Sequence, residues 1–200
     1  STLMRSSAAS DVYKRQGKYG EEYTETLTIG RTEGDMTYVK YKEQVFKVSS
    51  DIISFANDSS YNIVSKLQAL VDISEVKSVT VEYNGAEHTI DITHNDSDMT
   101  FVLDGQKVDT KITQAIYKSI VGLAVDGVYK DETLGDTVMK IKYKGIKSSS
   151  DTEIEFKSID DLYCALIRNG KTEFTIKKSK LNEFMDLFNT YVENPEKQGD

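Results

Sequence analysis

The sequence VTVEYNGAEHTIDI, residues 79–92, shows apolar and polar residues alternating on both sides of Asn84-Gly85. Such alternation is typical of half-buried strands, and asparagine followed by glycine tolerates the positive φ angles of a two-residue turn. The stretch therefore predicts a β-hairpin. A second hairpin is predicted over residues 100–108, with Asp104-Gly105 as its turn.

An amphipathic helix is predicted directly after the second hairpin. Asp109-Thr110 supplies the capping chemistry of a helix start, because a side-chain oxygen there can accept an unpaired backbone N–H. The residues that follow place one apolar stripe at helical spacing, formed by Ile112, Ile116, Ile120 and Leu123. We therefore expect this helix to bury one face.

The same order of elements is predicted twice more. Strands over residues 137–143, 152–156 and 162–176, the last folded at Asn169-Gly170, precede a helix that opens at Ser179. Its apolar residues recur at helical spacing and are Leu181, Phe184, Met185, Phe188, Tyr191 and Val192. Near the start of the chain, strands at residues 23–29, 37–41 and 44–48, with a break at Gly30, precede short helices at 52–56 and 61–70.

Val48, Val108 and Ile176 occupy equivalent places, each at the end of the last strand before a helix. A unit of this kind cannot bury its sheet alone, so neighbouring units must share a core. The sequence thus predicts an α+β fold of repeated β-hairpin–helix modules, with antiparallel sheets and helices packed on one face. The expected modules are residues 17–75, 76–130 and 131–194, followed by a tail at 195–200.

The first sixteen residues differ from the rest. The sequence SSAASDVYKRQ, residues 6–16, is similar to the translation of a sequencing-library adapter, a contaminant at the ends of genes in metagenomic assemblies. The alternative is a native basic leader, which would lack the apolar region of a signal peptide. We expect residues 1–16 to be non-native and disordered, and the natural N-terminus to be missing.

Charge and composition exclude several functions. The net charge of −8 argues against nucleic-acid binding, because neutralising phosphates requires a basic surface. Lys140, Lys142 and Lys144 alternate with apolar residues, as on the solvated face of a strand. The single cysteine, Cys164, lies in an apolar strand, which favours a core position over a reactive thiol. No apolar run is long enough for a transmembrane helix.

Candidate site residues are few. His88 and His94 share strand parity, but a zinc site would need further Cys or His ligands, so structural histidines are favoured over a ligand or base. No phosphate-binding, dinucleotide-binding or esterase motif is present. No catalytic, metal or cofactor residue and no cofactor is predicted. Four strand tyrosines could form a recognition surface, or could simply suit half-buried strands: Tyr38, Tyr41, Tyr83 and Tyr143.

Three segments, YTETLTIG at 23–30, YVK at 38–40 and VFKVSS at 45–50, resemble a bacterial family catalogued as domain of unknown function 4340. Its pattern is Y-T-L-x-I-G, then Y-V-K, then V-Y-x-V-S-S; here the first element is one residue longer and Phe46 replaces tyrosine. Residues 160–163 and the closing helix also resemble that family. The resemblance implies an extracytoplasmic protein with an N-terminal membrane anchor, often encoded beside ABC-transporter components related to gliding-motility auxiliaries. No catalytic residue carries over from it.

Two functions are consistent with these observations. The first is a non-enzymatic accessory or binding domain of the bacterial cell envelope, linked to an ABC-type transport system, with a protein partner such as a transporter component and a membrane anchor absent from this sequence. The alternative is a hydrolase or small-ligand-binding enzyme with a site assembled from distant residues near His88. A deep pocket holding His88 and two carboxylates would favour the enzyme. A shallow surface with exposed strand edges would favour the binding domain.

Overall fold

The computed structural model describes residues 9–16, 22–41, 44–49, 69, 71, 73–96 and 98–195. The chain forms two compact units that divide between residues 67 and 68. This division differs from the expected module boundary at 75/76. The two units are described in turn.

The first unit contains a four-stranded antiparallel sheet. Its strands, in both chain and spatial order, are β1 (Ala9–Gln16), β2 (Glu22–Glu33), β3 (Met36–Tyr41) and β4 (Gln44–Ser49). The core of this sheet includes Val39 and Phe46, which are cross-strand partners and are both buried. Alternating apolar residues therefore form the expected strands β3 and β4.

Gly30 does not end the strand as predicted. β2 continues to Glu33, and its register with β3 shifts between Ile29 and Thr32. A Cβ atom at Gly30 would lie 3.3 Å from the Cβ of Tyr38. The glycine thus permits close approach of the neighbouring strand at an irregularity, a common role for glycine within strands.

The expectation of disorder over residues 1–16 is wrong for the part that the structure describes. Ala9–Gln16 form β1, which pairs along its full length with β2, from Ala9 opposite Ile29 to Gln16 opposite Glu22. The alternation of residues 9–16 is compatible with a strand, and the edge of β2 offers it backbone partners. The helices expected at 52–56 and 61–70 fall outside the described residues, except for Ala69.

The second unit is built on a nine-stranded antiparallel sheet. Its strands are β5 (Val76–Tyr83), β6 (Ala86–Asn95), β7 (Asp98–Leu103), β8 (Gln106–Val108), β9 (Gly127–Val128), β10 (Thr137–Gly145), β11 (Thr152–Ser158), β12 (Tyr163–Arg168) and β13 (Lys171–Lys177). Their order in space is β8-β7-β6-β5-β10-β11-β12-β13-β9. Two α-helices complete the described part, α1 (Thr110–Val121) and α2 (Lys178–Glu193).

The predicted α+β fold of repeated β-hairpin–helix modules is wrong. The described chain is mostly antiparallel sheet with two α-helices, which is closer to a β-rich fold. β5 pairs with β10, with Val81 opposite Ile141, so the strands of two expected modules belong to one sheet. The physical reason is that β5 and β10 each have a free side after pairing within their own hairpins, and joining them satisfies both rows of backbone groups.

The three tight turns are confirmed. Asn84, Asp104 and Asn169 have φ angles of 50°, 48° and 48°, and the glycine after each is also in the positive-φ region. The helix after β8 is confirmed too, and the side chain of Asp109 accepts a hydrogen bond from the Lys111 amide at its start. The second helix begins at Lys178, one residue before the predicted position.

The two faces of the nine-stranded sheet differ in chemistry. One face is apolar and includes Val81, Ile141, Phe156 and Cys164, all buried, as expected for Cys164. We call the opposite face the polar face; its residues are Thr80, Glu82, Thr89, Lys140, Lys142, Glu153 and Glu155. On it Lys142 pairs with Glu82, and Lys140 lies 3.7 Å from Glu155. The solvated strand face predicted for these lysines is therefore confirmed.

Candidate functional site

His88 and Asp104 form a hydrogen-bonded pair at one end of the apolar face. His88 lies opposite the buried Val81 in the sheet, and Asp104 is the first residue of the turn between β7 and β8. His88 Nδ1 is 2.6 Å from Asp104 Oδ2. Since an ionised carboxylate can only accept, Nδ1–H donates and Nε2 is the opposite end of the ring.

Asp104 also closes its own turn onto the neighbouring strand. Its Oδ1 accepts from the Thr89 amide at 2.8 Å, and its amide donates to the Thr89 carbonyl at 2.9 Å. Asn169 makes the same two bonds to Glu153, each 2.8 Å long. Because an asparagine with no histidine partner does this at the other turn, the clamp on the strand is a structural role that does not require His88.

The His88 ring packs among aromatic side chains. Its centroid lies 5.9 Å from the ring of Tyr83 and 5.9 Å from that of Phe188 in α2, and Phe188 stacks on Phe184. The Tyr83 hydroxyl donates to Asn189 Oδ1 at 2.5 Å. These contacts hold the second half of α2 against β5 and β6.

Tyr83 keeps its proton in this setting. Burial raises the pKa of its phenol, and the negative charges of Asp104 and Glu193 raise it further. A phenol that stays protonated remains a hydrogen-bond donor, as the bond to Asn189 requires. The cluster therefore stabilises the packing of α2 in its neutral form.

An aspartate bound to His Nδ1 is also the arrangement that orients a catalytic base. Base chemistry needs a reacting group within reach of Nε2. In the part of the chain that the structure describes, the contacts of His88 are with Asp104, Tyr83 and Phe188, and none is with a hydroxyl or thiol nucleophile. The described residues also contain no group of three side chains able to hold a metal ion.

His94 has a separate role. Its Nε2 is 2.6 Å from the carbonyl oxygen of Val76, so Nε2–H donates to the backbone at the start of β5. The prediction of a strand-end histidine is confirmed.

The tyrosines proposed as a recognition surface are divided by the structure. Tyr83 and Tyr143 are 5% and 4% exposed, so the expectation that they decorate a surface is wrong. Both lie on the apolar parity of their strands, where the ring packs in the core. Tyr38 is half-buried; its hydroxyl donates to Glu33 at 3.0 Å, and the Arg31 guanidinium lies 5.6 Å from its ring centroid. Of Tyr41, only the backbone in β3 is described.

Sequence reasoning identified His88 but not its partners. Asp104 lies sixteen positions further on, and Phe188 and Asn189 belong to a helix of another predicted module. One available signal was that consecutive hairpins place a turn beside the strand two before it. That signal requires the strand order, which local patterns do not give.

Comparison with known proteins gave no relative: no family model, no curated protein and no solved structure matches this chain. The resemblance described above therefore remains an expectation from the residues alone. Among the described residues, no helix combines the length and apolar character needed to cross a membrane.

Proposed function

We propose that this chain is a non-catalytic binding domain of the bacterial cell envelope, with a protein component of an ABC-type transport system as its partner. The observation that carries the non-catalytic part is the use of Asp104. Both of its carboxylate oxygens hold neighbouring structure, one on Thr89 and one on His88. The envelope setting is supported by the motifs at residues 23–30, 38–40 and 45–50.

The polar face of the nine-stranded sheet is the surface we assign to binding. The edge strands are short, with three residues in β8 and two in β9. Beside β13, the Tyr129 amide donates to the Glu173 carbonyl at 3.0 Å. Short and covered edges disfavour addition of a partner strand. The polar face instead presents paired charges and the Thr80–Thr89 hydroxyl pair, a composition suited to a hydrated, non-obligate contact.

Two matched charge reversals test this assignment. Glu153→Lys changes an exposed residue of the polar face, and Glu183→Lys makes the same change on the exposed side of α2. Binding to the purified transporter proteins encoded beside the gene is measured by calorimetry. We expect Glu153→Lys to weaken binding about tenfold or more, because like charges in a contact cost over 1 kcal/mol. Glu183→Lys should leave it unchanged.

Equal effects of the two reversals would contradict the assignment to the polar face, and absence of binding by the wild-type protein would contradict the partner. The envelope setting has its own test. Alkaline phosphatase, which is active only outside the cytoplasm, is fused to the complete gene product. An inactive fusion to a well-expressed protein would contradict an extracytoplasmic location.

The alternative is a hydrolase or small-ligand-binding enzyme near His88, and the 2.6 Å bond to Asp104 is the observation that favours it. In this case, His88→Gln should abolish turnover of a substrate while the melting temperature stays unchanged. For a structural pair the outcome is reversed: the substitution lowers the melting temperature, because it loosens the contact with Phe188 in α2.

A further inference from the structure

Thr113 in α1 carries a buried hydroxyl without a protein partner. The residue is 5% exposed, and its Oγ1 is the one buried side-chain polar atom, within the described ranges, that makes no hydrogen bond. Helical threonines often bond the carbonyl four residues earlier. Here the Asp109 carbonyl accepts from the backbone amide of Thr113, at 3.4 Å, and not from its hydroxyl. An unpaired buried hydroxyl costs about 1–3 kcal/mol, so a partner is expected.

Thr113 also lines a small cavity. The cavity has a volume of about 20 Å³ and lies among residues of α1, β5, β6 and β10, including Val79, Ile92 and Ile116. About 10–15 Å³ of such space holds one water molecule. The volume therefore admits one water and excludes a larger organic ligand.

Two phenols offer further hydrogen-bonding atoms at the same cavity. Tyr117 and Tyr143 both line it, and the Tyr143 hydroxyl donates to the Ala69 carbonyl at 2.7 Å. A phenol oxygen that donates can still accept. Burial, with a smaller contribution from Tyr117, raises the pKa of Tyr143, so its proton stays in place. A water beside Thr113 would thus meet neutral polar atoms as well as aliphatic side chains.

We propose that this cavity is a binding site for one ordered water molecule, held by the Thr113 hydroxyl. The water supplies the partner that the hydroxyl lacks and fills the space between α1 and the sheet. It is then a component of the fold of the second unit. This inference is independent of the proposed function, because it concerns the apolar face of the sheet and not the polar face.

Thr113→Val tests the site because it replaces the hydroxyl by a methyl group of similar size. If the water is bound, the variant loses its anchor, and the melting temperature of the full chain should fall by about 2–4 °C. Thr190→Val is the matched control: it places the same change in α2, where the Thr190 hydroxyl bonds to the Asp186 carbonyl at 3.1 Å and lines no part of the cavity. It should change the melting temperature less.

The water itself is detected by cross-relaxation between its protons and the amides of Thr113 and Ile116 in NMR spectra. The signal should be present in the wild type, retained in Thr113→Ser, which keeps a hydroxyl, and lost in Thr113→Val. An unchanged or higher melting temperature of Thr113→Val would overturn the proposal, because relieving an unpaired hydroxyl is neutral or stabilising. Absence of the signal from the wild type, or its persistence in Thr113→Val, would also overturn it.

Discussion

Substituting Asp104 separates its two structural roles, the clamp on Thr89 and the bond to His88. Asp104→Ala removes the acceptor of the Thr89 amide, at 2.8 Å, and that of His88 Nδ1, at 2.6 Å. Each bond contributes about 0.5–1.5 kcal/mol net. Alanine at a φ angle of 48° adds about 1 kcal/mol of backbone cost. The free energy of unfolding of the second unit should therefore fall by roughly 2–4 kcal/mol.

Asp104→Asn should behave differently. Asparagine tolerates the positive φ angle, and its Oδ1 can accept from the Thr89 amide, as Asn169 Oδ1 accepts from the Glu153 amide. His88 can adopt its other neutral tautomer and accept from the new NH₂ group. We expect a loss below about 1 kcal/mol.

Urea denaturation followed by circular dichroism measures both variants, with Asn169→Ala as the internal control. That control removes one side-chain bond at an equivalent turn, where no histidine is bound. It should cost less than Asp104→Ala by about 1 kcal/mol, the contribution of the His88 bond. The reasoning would be refuted if Asp104→Ala were as stable as the wild type, or if Asp104→Asn were as damaging as Asp104→Ala.

Three further predictions concern other buried or paired groups. Cys164 is fully buried and burial raises the pKa of its thiol, so iodoacetamide should alkylate it at least about 100-fold faster in urea than in native buffer, as followed by mass spectrometry; equal rates would place it at the surface. Tyr143→Phe leaves the buried Ala69 carbonyl without its donor and should cost about 1–3 kcal/mol by urea denaturation, and a neutral effect would show that another donor replaces the phenol. The hydrogen bond from Lys142 lowers the pKa of Glu82, so this pair stabilises the fold above the ordinary pKa of glutamate and loses that contribution as the pH falls through the lowered value. In Lys142→Met the pKa of Glu82, measured by NMR titration, should rise, and an unchanged pKa would exclude Lys142 as the cause.

Local features of this fold could be predicted because their physics is local. Asn84-Gly85 and Asn169-Gly170 form tight turns since both residues of each turn adopt positive φ angles, which few other residues tolerate. The apolar stripe from Ile112 to Ile120 is buried, as helical spacing predicts. In each case the chain within about a dozen residues contains the information.

The arrangement of the sheet could not be predicted in this way. Val81 and Ile141 are direct partners although sixty residues separate them, and nothing in either strand specifies which free side pairs with which. A repeated local pattern suggested separate modules, whereas backbone satisfaction is achieved by joining β5 to β10. The candidate site depends on the same information, because Asp104 meets His88 only once β7 lies beside β6.

The polar face exists only if the nine strands form one sheet, so the β5–β10 pairing carries the whole account. Nuclear Overhauser effects between the backbone protons of Val81 and Ile141, and between those of Thr80 and Lys142, measure that pairing directly. We predict cross-strand contacts at both pairs and slow exchange of the amides between them. If β5 showed contacts only to β6, and β10 only to β11, the sheet would be two separate modules and the account would be contradicted.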